Sequence, residues 1–251
     1  MNWLAARPRV RACVRWLDFQ LSGDRRFAPF FEKHQPEVVF LAHLFDDIEI
    51  SLLAEAKRRK VRAIGFVNSW DKLTARCAVR LVPDLLLVYN DIVKREAMAH
   101  TDMPEAAIHP VGIPQYDLYQ NFVPSSREDF LRRVGIDPQK KFFLYAPMGE
   151  AFSTSDWDII DLLHRWREDG ALPQTLEMLV RFQPNDFVNE AELKKRPWLR
   201  YDRPGTRFGK TRGVDWDMSA EELAHLADTL SHMVLLVCYA SSMSVDAAIF
   251  G

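Results

Sequence analysis

The sequence predicts an α/β protein with two parallel-sheet domains, and three observations lead there. Short apolar runs alternate with stretches of helical periodicity, the pattern of βαβ units. The alternation lapses once, around Pro124-Ser125-Ser126, and then restarts, as expected at a passage between domains. The length of 251 residues, 48% hydrophobic and 27% charged, suits two soluble domains of ordinary size. The expected organisation is a first domain over 1–117, a linker over 118–139 and a second domain over 140–251.

The elements follow in order. Residues 37–42 (EVVFLA) form a strand candidate behind Pro36. Residues 47–60 place Ile48, Leu52, Leu53 and Ala56 at helical spacing. Strand candidates at 61–67 and 85–89 lead into a helix over 91–100, and 107–111 is a short fourth strand. Residues 127–134 are a short helix candidate. After the lapse, 141–146 (KFFLYA) and 175–182 read as strands on either side of a helix over 156–168. A helix over 219–230 opens on Ser219, with Glu221 and Glu222 in its first turn. The apolar run 233–240 reads as a buried strand, and 241–251 enters a last helix.

Bulk properties exclude several classes. A net charge of −2 gives no general drive toward nucleic acid. Cys13, Cys77 and Cys238 are too scattered for a metal site or a disulfide framework, which suits a reducing cytosol, and each is expected to be a small buried hydrophobe. The seven histidines include none with zinc-ligand spacing, and no structural metal is expected. No apolar run approaches the ~20 residues that span a bilayer. The start carries Arg7, Arg9, Arg11, Arg15, Arg25 and Arg26 among Trp3, Leu4, Val10, Val14, Trp16 and Leu17. It reads as a surface helix packing its apolar stripe on the domain. The alternative is a basic helix resting on anionic lipid at the inner membrane face.

In open α/β sheets, ligands bind outside the carboxyl ends of the strands. The run after 233–240 is the most informative, because Ser241, Ser242 and Ser244 open a helix. Free N–H groups and the helix dipole there can hold a phosphate or diphosphate, although serines are also ordinary N-caps. One turn on, Asp246 could accept from a ribose. After 61–67, the stretch Asn68-Ser69-Trp70-Asp71-Lys72 sets a carboxylate beside an ammonium, which suits either a base with an electrostatic clamp or a capped turn. Arg181, in Arg181-Phe182-Gln183-Pro184, offers a planar fork to a phosphate or to backbone carbonyls. Gly149 would let backbone amides approach a phosphate. The loop Phe208–Asp217 brings Lys210, Thr211 and Arg212 as further diphosphate candidates or as a solvated charged loop. His43 is the one histidine in a polar turn just after a strand, a candidate acid/base or acceptor contact.

Together, GFVNSWDKLT (65–74), PDLLLVYNDIVKREA (83–97), VGIPQYD (111–117), LYAP (144–147), RFQPND (181–186) and YASSMSVDAAIFG (239–251) resemble the GT-B glycosyltransferase superfamily. The resemblance is nearest to the CDP-glycerol glycerophosphotransferase-like and capsule-polysaccharide-type transferases, with the UDP-N-acetylglucosamine 2-epimerases more distant. It implies two Rossmann-like domains facing a cleft, truncated at both ends, and transfer of a sugar or polyol-phosphate from a nucleotide-activated donor to a cell-envelope glycan. The donor, a nucleotide-linked sugar or CDP-glycerol, would be a substrate, with no cofactor implied. Ser241, Ser242, Ser244, Arg181, Gln183, Gly149 and Thr211 would hold the donor, with Asp246 near its ribose. Asp71 would be the base, His43 a second catalytic candidate, and Trp70 and Lys72 would face the acceptor. Related sequences read Arg-x-His-Pro where this chain has Gln183, which keeps hydrogen bonding and loses proton transfer. The alternatives are a nucleotide-sugar 2-epimerase and a binding module without turnover.

Overall fold

The computed structural model describes residues 7–21, 23–76, 78–210, 216–239 and 241–251. The calls on Trp3, Leu4, Cys77, Thr211 and Arg212 lie outside them. The chain forms two compact units, Met1–Gln115 and Tyr116–Gly251.

The first unit runs α1 (Pro8–Leu21), α2 (Ala28–His34), β1 (Val38–Leu41), α3 (Asp47–Arg59), β2 (Arg62–Phe66), a π-helical turn (Lys72–Arg76), β3 (Leu85–Val88), α4 (Asp91–Thr101) and β4 (Ile108–Pro110). The four strands lie in sequence order and all pair in parallel. Asp46 starts α3 by accepting from the Ile48 amide, and Asn90 starts α4 by accepting from Ile92 and Val93. Leu41, Leu53, Ala63, Val67, Leu86 and Val88 are fully buried and form the centre of the core.

The arginine-rich start departs from the expected packing, since among the described residues only Phe19 of the apolar side chains of α1 packs against the core. Helix α1 buries no residue, and two of its arginines face the unit: Arg11 and Arg15 both bind Asp102, and Arg15 also donates to Val79, His100 and Thr101 carbonyls. Val14, Trp16 and Leu21 are left exposed. The last turn of α4 presents carbonyls with no intrahelical partner, and guanidinium groups satisfy them where an apolar stripe could not. Arg11 and Arg15 are thereby engaged within the unit. Cys13 is exposed and Cys238 half-buried, so neither is the buried hydrophobe expected.

The second unit runs α5 (Asp117–Gln120), α6 (Arg127–Arg133), β5 (Lys141–Ala146), α7 (Asp156–Glu168), β6 (Leu176–Arg181), α8 (Glu190–Lys194), β7 (Arg200–Asp202), β8 (Thr206–Arg207), β9 (Trp216–Asp217), α9 (Ala220–His232), β10 (Leu235–Cys238) and α10 (Met243–Phe250). Its parallel sheet has the order β10-β5-β6-β7, and β8 and β9 pair antiparallel apart from it. Alternation along β5 divides the core: Phe143 and Tyr145 pack with Ile160 of α7, while Phe142 and Leu144 pack with Phe130 of α6 and Leu230 of α9. With apolar layers on both faces, β5 and β6 are buried almost throughout.

Two expectations change here. The stretch read as a linker packs into the second unit, where Phe130, Leu131 and Ile136 are buried. Strand β10 lies at the sheet edge with Leu235 exposed, not buried as its apolar run suggested.

Candidate functional site

The strand order of the second unit fixes where a ligand would sit. From β5 the chain adds β6 and β7 on one side, then returns to place β10 on the other. The order therefore reverses between β5 and β10, and a crevice opens outside the carboxyl ends of such a strand pair. Ala146 and Cys238 are register partners at those ends, so the loop through Gly149 and the serine-led start of α10 emerge side by side.

Ser242 and Ser244 are exposed at that start, and Ser241 is half-buried. The Ser241 hydroxyl accepts from the Met243 amide at 3.2 Å, and the Ser244 hydroxyl donates to the Ser241 carbonyl at 2.8 Å. Ser242, the N-cap, makes no side-chain cap. One turn in, Asp246 accepts from the Tyr119 hydroxyl at 2.9 Å. Burial raises the Asp246 pKa despite that bond. Burial and the nearby Asp246 carboxylate likewise push the Tyr119 phenol up.

The neighbouring loop is braced from within. Gly149 takes φ +89°, a left-handed conformation that favours glycine. Its amide is already engaged: Asp156, at the start of α7, accepts from Gly149 at 2.7 Å and from Met148 at 3.2 Å. Gln183 donates to the Met148 carbonyl at 2.8 Å, so it supports the loop. A cavity of about 350 Å³ lies beside this loop, lined by Glu150, Asp156, Trp157, Asp186, Phe187 and Asn189 among others. Carboxylates and aromatic faces suit a hydroxyl-rich ligand better than a phosphate.

Arg181 ends β6 and is 2% exposed. Its Nη1 lies 3.3 Å from Asp202, which also lies 3.0 Å from His225 Nε2. Its Nη2 is buried without a partner. Burial lowers the Arg181 pKa even though Asp202 and Glu222 pull the other way. The fork expected to meet a diphosphate is thus paired with a carboxylate in this structure, and only Nη2 remains to be satisfied.

In the first unit, the carboxyl ends of β1 and β2 gather the other candidates. Lys72 Nζ lies 3.5 Å from His43 Nε2 and 5.8 Å from the centre of the Phe45 ring. The His43 amide donates to Glu49 at 2.7 Å, while His43 Nδ1 is buried without a partner. Ser69 donates to Asp71, and Tyr89 donates to the Asn68 carbonyl. Asn68 Oδ1 is buried and unpartnered, and Trp70 is 43% exposed. Lys72 opens the π-helical turn, so its side chain turns back toward His43 as the chain leaves the strand. Among the described residues, no group of three His, Cys, Asp or Glu side chains could hold a metal ion.

At the sequence level the chain matches no family model and no curated protein. In three dimensions it is similar to S. aureus MnaA in a co-structure with UDP, with TM-score 0.58 and 10% identity over 96% of this chain and 62% of that one. It is also similar to the UDP-GlcNAc 2-epimerase of Methanocaldococcus jannaschii, with TM-score 0.54 and 12% identity over 96% and 64% of the two chains. The UDP-N-acetylglucosamine 2-epimerase of Rickettsia bellii follows with TM-score 0.50 and 12% identity over 97% and 59%. The chain has a GT-B-like fold. It spans about three fifths of the length of these three structures.

Sequence reasoning missed four side chains of this GT-B-like chain. Asp156 was read only as part of a helix, yet it organises the Gly149 loop. Tyr119 fell in the presumed linker, although it bonds Asp246. Asp202 and His225 complete the surroundings of Arg181. A carboxylate at a helix start, seven residues beyond the Gly149 turn and directly after Ser155, is the legible signal for Asp156; the others meet only through the fold.

Proposed function

We propose that the second unit binds a nucleoside-diphosphate-linked donor and that the chain is a transferase of a sugar or polyol-phosphate to a cell-envelope glycan. The reversal of strand order between β5 and β10 carries the reading, because it sets the hydroxyls of Ser241, Ser242 and Ser244 at the crevice such sheets use for ligands. The dipole and first-turn amides of α10 would attract the donor phosphates. Arg181 would complete the anion's surroundings through Nη2, Asp246 would accept from the ribose, and Gln183 and Gly149 would shape the adjoining loop. Thr211 stays a donor candidate. In the first unit, Asp71 would take the proton of the attacking acceptor hydroxyl, and His43, Lys72 and Trp70 would hold the acceptor. The donor would be a UDP- or CDP-linked substrate, used in the cytoplasm. Among the described residues, no helix is long and apolar enough to cross a membrane.

A second reading is a nucleotide-sugar 2-epimerase. It is favoured by the gathering of His43, Asp71 and Lys72 at one sheet edge, which supplies more than one titratable group.

Thermal shift with UDP, CDP, UDP-GlcNAc and CDP-glycerol tests the donor site. A ligand at about 100 Kd should stabilise the folded chain by about 2.7 kcal/mol. Ser242→Ala should weaken that response. No stabilisation by any of them would overturn the donor assignment. Product analysis then separates the readings: epimerisation proceeds with no acceptor, whereas transfer requires one and should fall at least about 100-fold in Asp71→Asn.

A further inference from the structure

At the opposite, amino-terminal edge of the second sheet lies a cavity of about 320 Å³ that the donor reading does not use. Its walls include Lys140, His164, Arg167, Glu177, Trp198 and Arg200. Lys140 precedes β5, Glu177 is in β6, Arg200 opens β7, and His164 and Arg167 come from α7. Glu177 is the one acidic side chain of the lining and is 5% exposed. Its Oε1 accepts from Lys140 Nζ at 2.6 Å and Arg167 Nη2 at 2.8 Å, and its Oε2 faces Arg200 Nη1 at 3.3 Å. Three basic side chains thus converge on a single carboxylate. Glu168 lies 3.6 Å from Arg167 but is largely exposed, where solvent screens it.

The Glu177 oxygens can accept all three contacts, but they bring one negative charge against three cationic side chains. Arg167 Nε is buried and has no partner. Uncompensated positive charge in a partly buried pocket is costly, and an anion carrying several oxygens would relieve it. His164 lies flat on Trp198, with ring centres 3.6 Å apart at an angle of 7°, so one part of the wall is rigid and aromatic. The volume admits more than a bare phosphate and less than a large cofactor.

We propose that this cavity binds a small phosphorylated anion, at a site separate from the donor crevice and at the other end of the same sheet. Such a ligand would tie together β5, β6, β7 and α7.

Pyrophosphate is the probe, measured by calorimetry at low and constant ionic strength. The Ser242→Ala background weakens the proposed donor site, and only binding at the present cavity should respond to Arg200→Gln and Glu177→Gln, so failure there and failure here are distinguishable. Pyrophosphate should bind in that background. Arg200→Gln should weaken binding about tenfold, the worth of one charge-assisted hydrogen bond. Glu177→Gln should tighten it, because the competing carboxylate is removed, and pyrophosphate should restore the melting temperature that this variant loses. A purely structural ion cluster predicts the opposite of the last result: Glu177→Gln would be destabilised and pyrophosphate would not rescue it. Absence of binding in the Ser242→Ala background, or affinity unchanged in both Arg200→Gln and Glu177→Gln, would overturn the proposal. Should Arg200→Gln fail to fold, Lys140→Gln gives the same reading, since Lys140 is one-third exposed and leaves two guanidinium groups on Glu177.

Discussion

Glu55 shows how single residues are held in place by charge. Its side chain is fully buried in α3, with Arg59 Nε at 2.6 Å, Arg25 Nε at 3.0 Å and Arg58 Nη1 at 3.4 Å. Burial alone would raise its pKa, but hydrogen bonds from Arg59 and Arg25 outweigh that and lower it. The carboxylate therefore stays ionised, and it links α3 to the chain ahead of α2. Glu55→Gln removes the charge while keeping the shape. We expect it to cost about 3 kcal/mol, because a buried cluster broken on one side leaves its partners uncompensated. The urea midpoint measures this, and a loss below about 0.5 kcal/mol would mean that solvent satisfies the arginines. Charged residues were also where the sequence was hardest to read. Arg181 was recognisable as an arginine at a strand end, but its pairing with Asp202 depends on a strand of three residues that periodicity could not reveal.

Helices and strands were more legible, for a physical reason. The helices over 47–60 and 91–100 carry both a periodic apolar face and a side-chain cap, and their ends match within one residue; 156–168 has no side-chain cap, and its periodic apolar face alone gives its observed ends. Ser219 forms a reciprocal capping box with Glu222 at the start of α9, as the residue types indicated. Glu222 also accepts from the Gly205 amide at 2.6 Å, tying the helix start to the loop behind Pro184. Ser219→Ala should cost about 1 kcal/mol. Hydrogen exchange should localise the loss to the first turn of α9, and protection lost evenly along the whole helix would contradict a capping role. Strand β7 and the pair β8–β9 were not legible, because two or three residues show no period. Helix α1 misled because its arginines and its apolar residues are both plausible inner faces. The carbonyls at the end of α4 and the Asp102 carboxylate decide between them, and those become neighbours only through the fold.

Across the whole chain, these carboxylates give the stability a defined pH dependence. Asp102 titrates below 3.8 because Arg11, and then Arg15, favour its ionised form against burial. Asp228 is desolvated, yet bonds from Ser125 and Arg133 hold it below 3.8 as well. Glu222 titrates below 4.5 through the Ser219 and Gly205 amides. A carboxyl with a depressed folded pKa contributes stability above its unfolded value and loses it as pH falls through the folded one. These groups should therefore destabilise the protein progressively below about pH 4. Asp246 acts in the opposite sense. Burial raises its folded pKa above 3.8, so its contribution is complete below that value and is lost as pH rises through the folded pKa. Burial of Asp246 in the proposed donor crevice thus carries an energetic cost above its unfolded pKa, as ligand sites commonly do. Asp246→Asn should melt higher than the parent chain at pH 7, with the difference shrinking toward pH 4. Asp228→Asn should melt lower at pH 7 and converge with the parent in acid. Melting curves of the three proteins from pH 3.5 to pH 7.5 test both signs together. If Asp246→Asn melted lower at pH 7, the bond from Tyr119 would outweigh desolvation, and Asp246 would be a structural anchor with no residual capacity for a ribose.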